Sequence, residues 1–284
     1  MKFARLTVLC MLLTATHVFS APPAGYYLVW SDEFNGSSLD TTKWDYWLLG
    51  NRRDAVNTSA AVAVTGGNLV ISTYTTAGVN YTAMVASDQT FRTKFGYWES
   101  SVKWGDTNGM WSAIWMQSPA MGANINDPFT SGSEIDIGEH RYVDGSGNSL
   151  ANVIQPNVHW NGYGANAASS GGNNYGSGLA TGVHTYGFLC TPTDYTISID
   201  GGKVRNWNYA ENGVPVSRST EWMIFSSEVD DTSTTGSGTS PAGGYGAAGV
   251  SGVKMTIDYA RYYAPTTSIF WTGANSLAWN NSAN

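Results

Sequence analysis

Three carboxylates lie close together in the segment Gly132–His140, which has the sequence GSEIDIGEH. Its two isoleucines alternate with Glu134 and Asp136, which predicts a β-strand with one apolar and one acidic face. A regular strand would direct Glu139 into the apolar face, where an unpaired carboxylate is very costly. A β-bulge at Ile137–Gly138 would return Glu139 to the acidic face, because glycine tolerates the backbone of a bulge. We therefore expect all three carboxylates on one face of a strand.

A strand of this kind could carry out retaining glycoside hydrolysis. The outer two carboxylates would be about 13 Å apart at Cα, and inward-leaning glutamates shorten the gap towards the roughly 5–5.5 Å that the retaining reaction uses. Like charges held this close also separate their pKa values, which leaves one group ionised to attack and another protonated to donate. The alternative is a solvated acidic edge strand, which is what most acidic runs are.

The composition indicates an all-β protein. A length of 284 residues allows one large β-sandwich with a single core. The chain has 33 glycines, 16 tyrosines and 12 tryptophans but only 12% charged residues, which suits strands joined by glycine turns and an aromatic-lined surface. No long helical period is visible, so a helical or α/β enzyme is disfavoured.

The first 20 residues have the features of a secretory signal peptide. Lys2 and Arg5 precede the apolar run Leu6–Leu13, and small residues around Ala21 provide a cleavage site. The apolar run is too short for a permanent membrane anchor. We therefore expect export by a bacterial-type route to the medium or the cell surface. Cleavage would leave Cys190 as the only cysteine, in an apolar run that predicts a buried thiol.

The charge balance limits the partners. Without Lys2 and Arg5, 12 basic residues remain against 21 acidic ones, a net charge of −9. This argues against nucleic acid and anionic membranes as partners, and mildly against sulfated glycans, which usually need clusters of arginine or lysine. A neutral polysaccharide fits best, and we expect a monomer.

Period-2 patterns, separated by turns, predict an antiparallel β-sandwich. A loop rich in Gly, Asn, Ser and Ala is expected at Asn161–Gly178, and a loop rich in Gly, Ser and Thr at Asp230–Gly249. The predicted strands and hairpin are Asn68–Tyr74, Thr93–Trp104, Met110–Met116, His184–Leu189, Tyr195–Val204, Trp222–Ser227 and Lys254–Tyr263.

Two tryptophans, Trp111 and Trp115, lie four residues apart and so share one face of the strand before the carboxylates. Buried core tryptophans are the commoner explanation for such a pair. Because this strand is one loop upstream of the three carboxylates, we expect the two strands to pair. At least one of the tryptophans is then expected to stack on a sugar face.

Several short motifs occur in one order over about Tyr27–Tyr263. They are Trp30–Phe34, Phe95–Glu99, Gly109–Trp115, the E-x-D-x-x-E signature at Glu134, His184–Gly187, Asp200–Gly201 and Asp258–Arg261. Together they resemble glycoside hydrolase family 16, the family of laminarinases, lichenases, agarases and carrageenases. The resemblance implies a curved antiparallel β-sandwich, the concanavalin A-like β-jelly-roll, with a cleft on its concave face.

The resemblance also implies roles for individual residues. Glu134 would be the nucleophile, Asp136 the neighbour that tunes the pair, and Glu139 the acid/base. Trp111 and Trp115 match cleft tryptophans beside the cleaved bond. His159 matches a cleft histidine close to the acid/base.

Other positions leave alternatives open. Asn51 and Arg53 lie where the family contacts the substrate on the minus side, although exposed loop residues could equally be solvated. Glu228 is either a subsite residue or a salt-bridged loop carboxylate, and we favour the second. No cofactor is required; the resemblance implies a possible structural calcium, for which Glu33 and Asp258 occupy comparable places, although calcium needs six to eight oxygen ligands.

The chain then divides into a signal peptide (1–20), a catalytic domain (21–266) and a tail (267–284). The tail resembles the start of a bacterial autotransporter-associated repeat, and one partial copy cannot bury a core of its own. The expected activity is that of a retaining endo-glycosidase on a β-linked neutral polysaccharide, either a β-1,3- or β-1,3/1,4-glucan or a galactan such as agar. A glycan-binding lectin-like sandwich and a surface adhesin are the alternatives.

Overall fold

The structure is a computed structural model that describes residues 22–105, 107–231 and 236–266. The predicted signal peptide and the predicted tail lie outside these residues. The strands are β1 (Tyr26–Asp32), β2 (Asp45–Tyr46), β3 (Gly50–Arg52), β4 (Ala55–Asn57), β5 (Val62–Thr65), β6 (Asn68–Ser72), β7 (Tyr74–Thr76), β8 (Val79–Ala86), β9 (Gly96–Lys103), β10 (Met110–Gln117), β11 (Glu134–Arg141), β12 (Val153–Trp160), β13 (Ala168–Gly171), β14 (Asn174–Tyr175), β15 (His184–Cys190), β16 (Asp194–Ile199), β17 (Gly202–Asn208), β18 (Trp222–Val229) and β19 (Lys254–Pro265).

Helical structure in the described residues is short. It consists of a 3-10 turn at Ser59–Ala61 and two one-turn helices, α1 (Pro128–Ser131) and α2 (Tyr209–Asn212). The strands predicted from alternation are all present. The predicted loop Asn161–Gly178 is wrong in part, since it contains β13 and β14, whose small polar residues lack the apolar alternation that marks a strand.

The strands form two sheets. The site sheet has the order β13-β12-β11-β10-β18-β8-β4-β3, and the back sheet has the order β17-β16-β15-β9-β19-β6-β5, with β1 added beside β19. The ladders of the described strands are antiparallel except for β4 with β8. This is the β-jelly-roll sandwich, and β10 and β11 are adjacent within the site sheet, which confirms their predicted pairing.

The core fills the space between the sheets. The site sheet contributes Ile114, Ile135 and Phe225, and the back sheet contributes Trp98 and Phe188; each is at most 2% exposed. Burying a side chain of this size stabilises the fold by roughly 1.5–3 kcal/mol. Since successive residues of a strand face opposite ways, the same three strands of the site sheet place their other side chains on the outer face.

Two further observations concern the chain as a whole. Cys190 is a buried free thiol, as its apolar surroundings predicted, and burial raises its pKa well above the usual range. No helix among the described residues is long and apolar enough to cross a membrane.

Candidate active site

The predicted β-bulge is present in β11. Against β10, Gly138 pairs with Ile114 and Asp136 pairs with Trp115, so Ile137 is the extra residue. We predicted glycine here because it tolerates the backbone of a bulge, but Gly138 is not among the residues with positive φ. The glycine is required for a different reason. A Cβ at Gly138 would lie 2.8 Å from Cγ2 of Ile154 on β12, so the bulge needs glycine for close packing.

The bulge brings Glu134, Asp136 and Glu139 into one cleft on the outer face of the site sheet. The cleft has a volume of about 540 Å³. Its floor comes from alternate residues of β10, β11 and β18, and one side comes from the segment that leads into and through β3. The lining residues outside the carboxylate strand are Trp47, Leu48, Arg52, Arg53, Trp111, Ala113, Trp115, Gln117, Ser118, Pro119, Tyr163, Trp222, Ser226 and Glu228.

Glu134 lies opposite Gln117 in the β10–β11 register. Its Oε2 accepts a hydrogen bond from the hydroxyl of Tyr163, and that hydroxyl accepts one from Gln117 Nε2 at 2.9 Å. Burial raises the pKa of Glu134, and the hydrogen bond from Tyr163 opposes the rise. Glu134 thus has a dedicated donor.

Glu139 has two donors. The indole Nε1 of Trp111 donates to Oε1 at 2.8 Å, and the amide of Asn157 donates to Oε2. Glu139 is only 8% exposed, and this burial raises its pKa, although the charge of Arg141 and the two hydrogen bonds work against the rise. The carboxyl group is therefore held in place while being disposed to carry a proton.

Asp136 and His159 form a hydrogen-bonded pair, with 3.2 Å between Oδ2 and Nε2. The hydrogen bond from the imidazole to Asp136 raises the pKa of His159 to about 9, while burial and the charge of Glu139 raise the pKa of Asp136. The pair therefore holds a proton at neutral pH and shares it between a ring and a carboxylate.

Ligand atoms of Glu134, Asp136 and His159 lie within 4.8 Å of one another, which is the one such group of three in the described part of the chain. A cation could in principle be bound by two carboxylates and an imidazole. However, the hydrogen bond between His159 and Asp136 already uses two of the atoms that a cation would need. The arrangement thus favours proton sharing.

We expect Asp136→Asn to lower the pKa of His159 from about 9 towards the ordinary value of 6.5, because the hydrogen bond to the carboxylate is the largest cause of the shift. His159 would then lose its charge near neutral pH, and turnover should fall by about tenfold or more. Imidazole proton resonances and pH–rate profiles measure the two effects.

The matched control for Asp136→Asn is Asp200→Asn. This change breaks a comparable pair in the back sheet, in which Asp200 Oδ2 lies 2.7 Å from His184 Nδ1, away from the cleft. It should leave turnover unchanged. An unaltered His159 titration and an unaltered rate in Asp136→Asn would mean that the Asp136 carboxylate neither sets the charge of His159 nor contributes to turnover.

The two predicted cleft tryptophans, Trp111 and Trp115, line the cleft, and both also make close contacts with other side chains of the protein. The guanidinium carbons of Arg53 and Arg141 lie 4.1 and 4.0 Å from the ring centroid of Trp111. Trp115 is buried, donates to the hydroxyl of Ser226 at 3.0 Å, and contacts Trp47 edge-on at 5.5 Å. Cation–π contacts and a hydrogen bond to Glu139 thus give Trp111 a positioning role; sugar stacking on either ring stays a prediction.

Glu228 is the salt-bridged carboxylate that we favoured, but it lies on β18 and lines the cleft. It accepts from Nε of Arg52 at 2.5 Å and from Nε of Arg53 at 2.9 Å. Asp230 lies 3.7 Å from a second nitrogen of Arg53. Asn51, which we proposed beside Arg53 as a donor, is exposed and is not among the cleft-lining residues, because alternation along β3 directs Arg52 there instead.

The residues proposed for calcium do not fit a calcium site formed by their side chains. Both carboxylate oxygens of Glu33 accept from Arg261, at 2.9 and 2.6 Å. Neither Glu33 nor Asp258 belongs to a cluster of three possible ligand side chains within the described residues. Arg261 therefore supplies the positive charge that Glu33 was expected to obtain from a metal.

Several residues of the site, in the cleft wall or in contact with its carboxylates, were not predicted from the sequence. Asn157 could have been found, since it lies two residues before His159 and must share its face of β12. Tyr163 and Trp47 lie outside the predicted strands, and their sequence context gives no signal of the cleft. Arg52 pairs with a residue 176 positions away, a distance at which local patterns carry no information.

This cleft is typical of a glycan-cutting enzyme, because three carboxylates crowded on one face, two of them buried, destabilise a protein that only binds neutral ligands. The comparison with protein families makes the assignment specific. The model for glycosyl hydrolases family 16 matches residues 49–261, more than half of the chain. The chain belongs to this family.

Two curated relatives agree with the assignment to a family of glycosyl hydrolases. The chain is 26% identical over 222 residues to glucan endo-1,3-beta-glucosidase A1 of Niallia circulans, covering 68% of this chain and 31% of that protein. It is 36% identical over 138 residues to a keratan-sulfate endo-1,4-beta-galactosidase of Sphingobacterium multivorum, covering 45% and 32%. The chain thus spans about a third of the length of these curated relatives.

Solved structures agree on the fold. The crystal structure of SCLam, a non-specific endo-beta-1,3(4)-glucanase from family GH16, superimposes with a TM-score of 0.65. The alignment covers 87% of this chain and 94% of SCLam at 24% identity. At this identity the similarity establishes the β-jelly-roll architecture.

Proposed function

We propose that this chain is an exported, endo-acting, retaining glycosidase that cleaves a β-linked neutral polysaccharide. The observation that carries the proposal is the bulge in β11, which places Glu134, Asp136 and Glu139 together in the cleft. The proposal includes the division of the chain into a signal peptide (1–20), a catalytic domain (21–266) and a tail (267–284), and a monomer that needs no cofactor.

In the proposed first step, Glu139 donates a proton to the glycosidic oxygen while the Glu134 carboxylate attacks the anomeric carbon. The bond from the anomeric carbon to the leaving oxygen breaks, and a glycosyl ester on Glu134 forms. In the second step water attacks that carbon, Glu139 accepts the proton of the water, and the electron pair of the ester bond returns to Glu134.

The surroundings of the two glutamates support these roles. Deep burial favours the protonated form of Glu139, which a general acid needs. Burial raises the pKa of Glu134 as well, but Glu134 is less buried, and the hydrogen bond of Tyr163 and the positive charge of His159 oppose the rise, which favours the ionised form that a nucleophile needs. Asp136 lies between them along β11 and shares a further proton with His159 of β12.

Endo cleavage of a β-linked chain is supported by the relatives. The Niallia protein is named as a glucan endo-1,3-β-glucosidase and the Sphingobacterium protein as a keratan-sulfate endo-1,4-β-galactosidase, so both are named as acting within β-linked chains. These names leave glucans and galactans open for this chain, and we propose one of the two.

A neutral substrate is supported by how the cleft uses its positive charge. Arg52 and Arg53 both pair with Glu228, and Arg53 also lies near Asp230. Their guanidinium groups are therefore largely neutralised before any substrate arrives. Aromatic walls bind neutral sugars by contacts that salt does not screen, whereas a sulfated chain would need unpaired cations.

Reducing-end release from a panel of polysaccharides tests the proposal. We expect activity on one of laminarin, lichenan, agarose or β-1,3-galactan, and changes of less than about twofold between low and moderate ionic strength. Porphyran, carrageenan and keratan sulfate should be poorer substrates. Binding without release of reducing ends would instead identify a lectin-like sandwich, and a steep loss of activity with salt would contradict the neutral substrate.

A further inference from the structure

Tyr163 lies in the connection between β12 and β13, flanked by Gly162 and Gly164. The side chain belongs to a residue that is 68% exposed, yet its hydroxyl reaches into the cleft and donates to Oε2 of Glu134. An exposed tyrosine in a glycine-rich connection gains little from burial. Its fixed hydroxyl contact therefore requires a different explanation.

Two contacts hold Tyr163 in place. Gln117 Nε2 donates to the phenol oxygen at 2.9 Å, which leaves the phenol proton to be directed at Glu134. The backbone of Gly162 also lies directly against Gly122: a Cβ on Gly122 would be 2.6 Å from Cα of Gly162. The hydroxyl is thus aimed by one hydrogen bond and one close backbone contact.

We propose that Tyr163 is a further catalytic residue, whose hydroxyl orients the nucleophilic carboxylate of Glu134 and stabilises that carboxylate as the leaving group when the glycosyl ester is hydrolysed. The inference rests on the proposed function. In that second step the bond between the anomeric carbon and Glu134 breaks, and the returning electron pair is stabilised by the Tyr163 hydrogen bond. Glu139 takes the proton of the attacking water.

The protonation behaviour of the phenol agrees with this geometry. Burial of the hydroxyl and the neighbouring charge of Glu134 raise the pKa of Tyr163 above its ordinary value of 10.0. The phenol therefore keeps its proton throughout the range in which the enzyme would work, and it acts only as a donor. It cannot replace Glu139 as the acid or the base.

The test is Tyr163→Phe, which keeps the ring and removes only the hydroxyl. We expect kcat to fall by about tenfold or more, as for a lost hydrogen bond to a charged group, and kcat/KM to fall less, because the slowed step follows ester formation. The acidic limb of the pH–rate profile should move to higher pH, since Glu134 loses the donor that favours its ionised form. A purely structural role would leave that limb in place.

The matched control is Tyr175→Phe, which removes the hydroxyl of an exposed tyrosine on β14 that accepts from Asn173 and does not line the cleft. It should behave as the wild type. Wild-type kcat together with a wild-type acidic limb in Tyr163→Phe would overturn the inference. If the wild type releases sugars from no polysaccharide, the proposed function has failed instead.

A measurement that needs no substrate further distinguishes failure of the Tyr163 inference from failure of the proposed function. The carboxyl carbon of Glu134 can be followed by NMR in protein labelled on glutamate, with Glu134→Gln providing the assignment. Its titration midpoint should lie at higher pH in Tyr163→Phe than in the wild type or in Tyr175→Phe. An identical midpoint in all three proteins would show that Tyr163 does not act on this carboxylate.

Discussion

Glu134→Gln and Glu139→Gln should each lower kcat by about a thousandfold or more without loss of the fold. In the proposed mechanism the first change removes the nucleophile, and the second removes the proton that the leaving oxygen needs, each a contribution of roughly 10²–10⁴ or more to the rate. Both side chains are desolvated carboxyls with raised pKa values. A neutral amide removes the free-energy cost of burying a charged carboxylate, so we expect an unchanged or higher Tm.

The decisive control is chemical rescue. Azide should restore turnover in a small-residue replacement of Glu134 and give a product with inverted anomeric configuration, since the small anion attacks from the side that the carboxylate has left. Glu211→Gln, at an exposed glutamate on α2 outside the cleft, should retain full activity. Full turnover in either glutamine variant at the site would refute the assignment of roles.

Glu221→Gln should raise the stability of the protein at neutral and alkaline pH. Glu221 is 1% exposed and accepts a hydrogen bond from Ser118 at 3.0 Å, with no cation paired to it among the described residues. Burial raises its pKa from 4.5 to about 8. The carboxyl is therefore protonated in the folded protein at neutral pH and ionised in the unfolded chain.

The sign of the effect follows from proton binding. Between about pH 4.5 and 8 the folded state holds a proton on Glu221 that the unfolded state has released, so the free energy of unfolding falls as pH rises through this window. The full loss is on the order of 5 kcal/mol. Glutamine has no proton to lose, so the variant should exceed the wild type by about 10 °C in Tm at pH 8 and above.

Thermal unfolding measured from pH 4 to pH 9 checks this expectation, provided that the wild type and Glu221→Gln unfold reversibly. Their Tm values should converge near pH 4 and separate as pH rises. Glu211→Gln serves again as the control, since an exposed glutamate should not alter the pH dependence. Parallel curves for the wild type and Glu221→Gln would show that Glu221 is ionised in the folded protein.

The carboxylate strand could be predicted in detail because all of its information is local. The alternation of isoleucines with Glu134 and Asp136, and the misplaced Glu139, together required one extra residue, and the structure has it at Ile137. The role of Gly138 could not be predicted, since it depends on contact with Ile154 of the next strand. The local pattern determines which face of the strand each side chain occupies, whereas the size that a position allows depends on packing against other strands.

The supporting residues show the limit of local patterns. Tyr163 lies among glycines and asparagines that predict only a loop, and nothing nearby indicates that its hydroxyl reaches Glu134. Strand β8 lies beside β18 within the site sheet, yet Val79–Ala86 is not among the predicted strands. Partners distant in sequence, such as Glu228 with Arg52 and Arg53, become visible only when the fold brings them together.

The ion pairs of Glu228 with Arg52 and Arg53 have a consequence for how substrate specificity can change during evolution. One carboxylate, Glu228, pairs with two adjacent guanidinium groups that already lie on the cleft wall. A single nucleotide change can turn a glutamate codon into one for glutamine or lysine, and either would remove the carboxylate partner of Arg52 and leave Arg53 with Asp230 alone. The distance between a cleft for uncharged polysaccharide and one for an acidic polysaccharide is then one mutational step, with the catalytic strand unaltered.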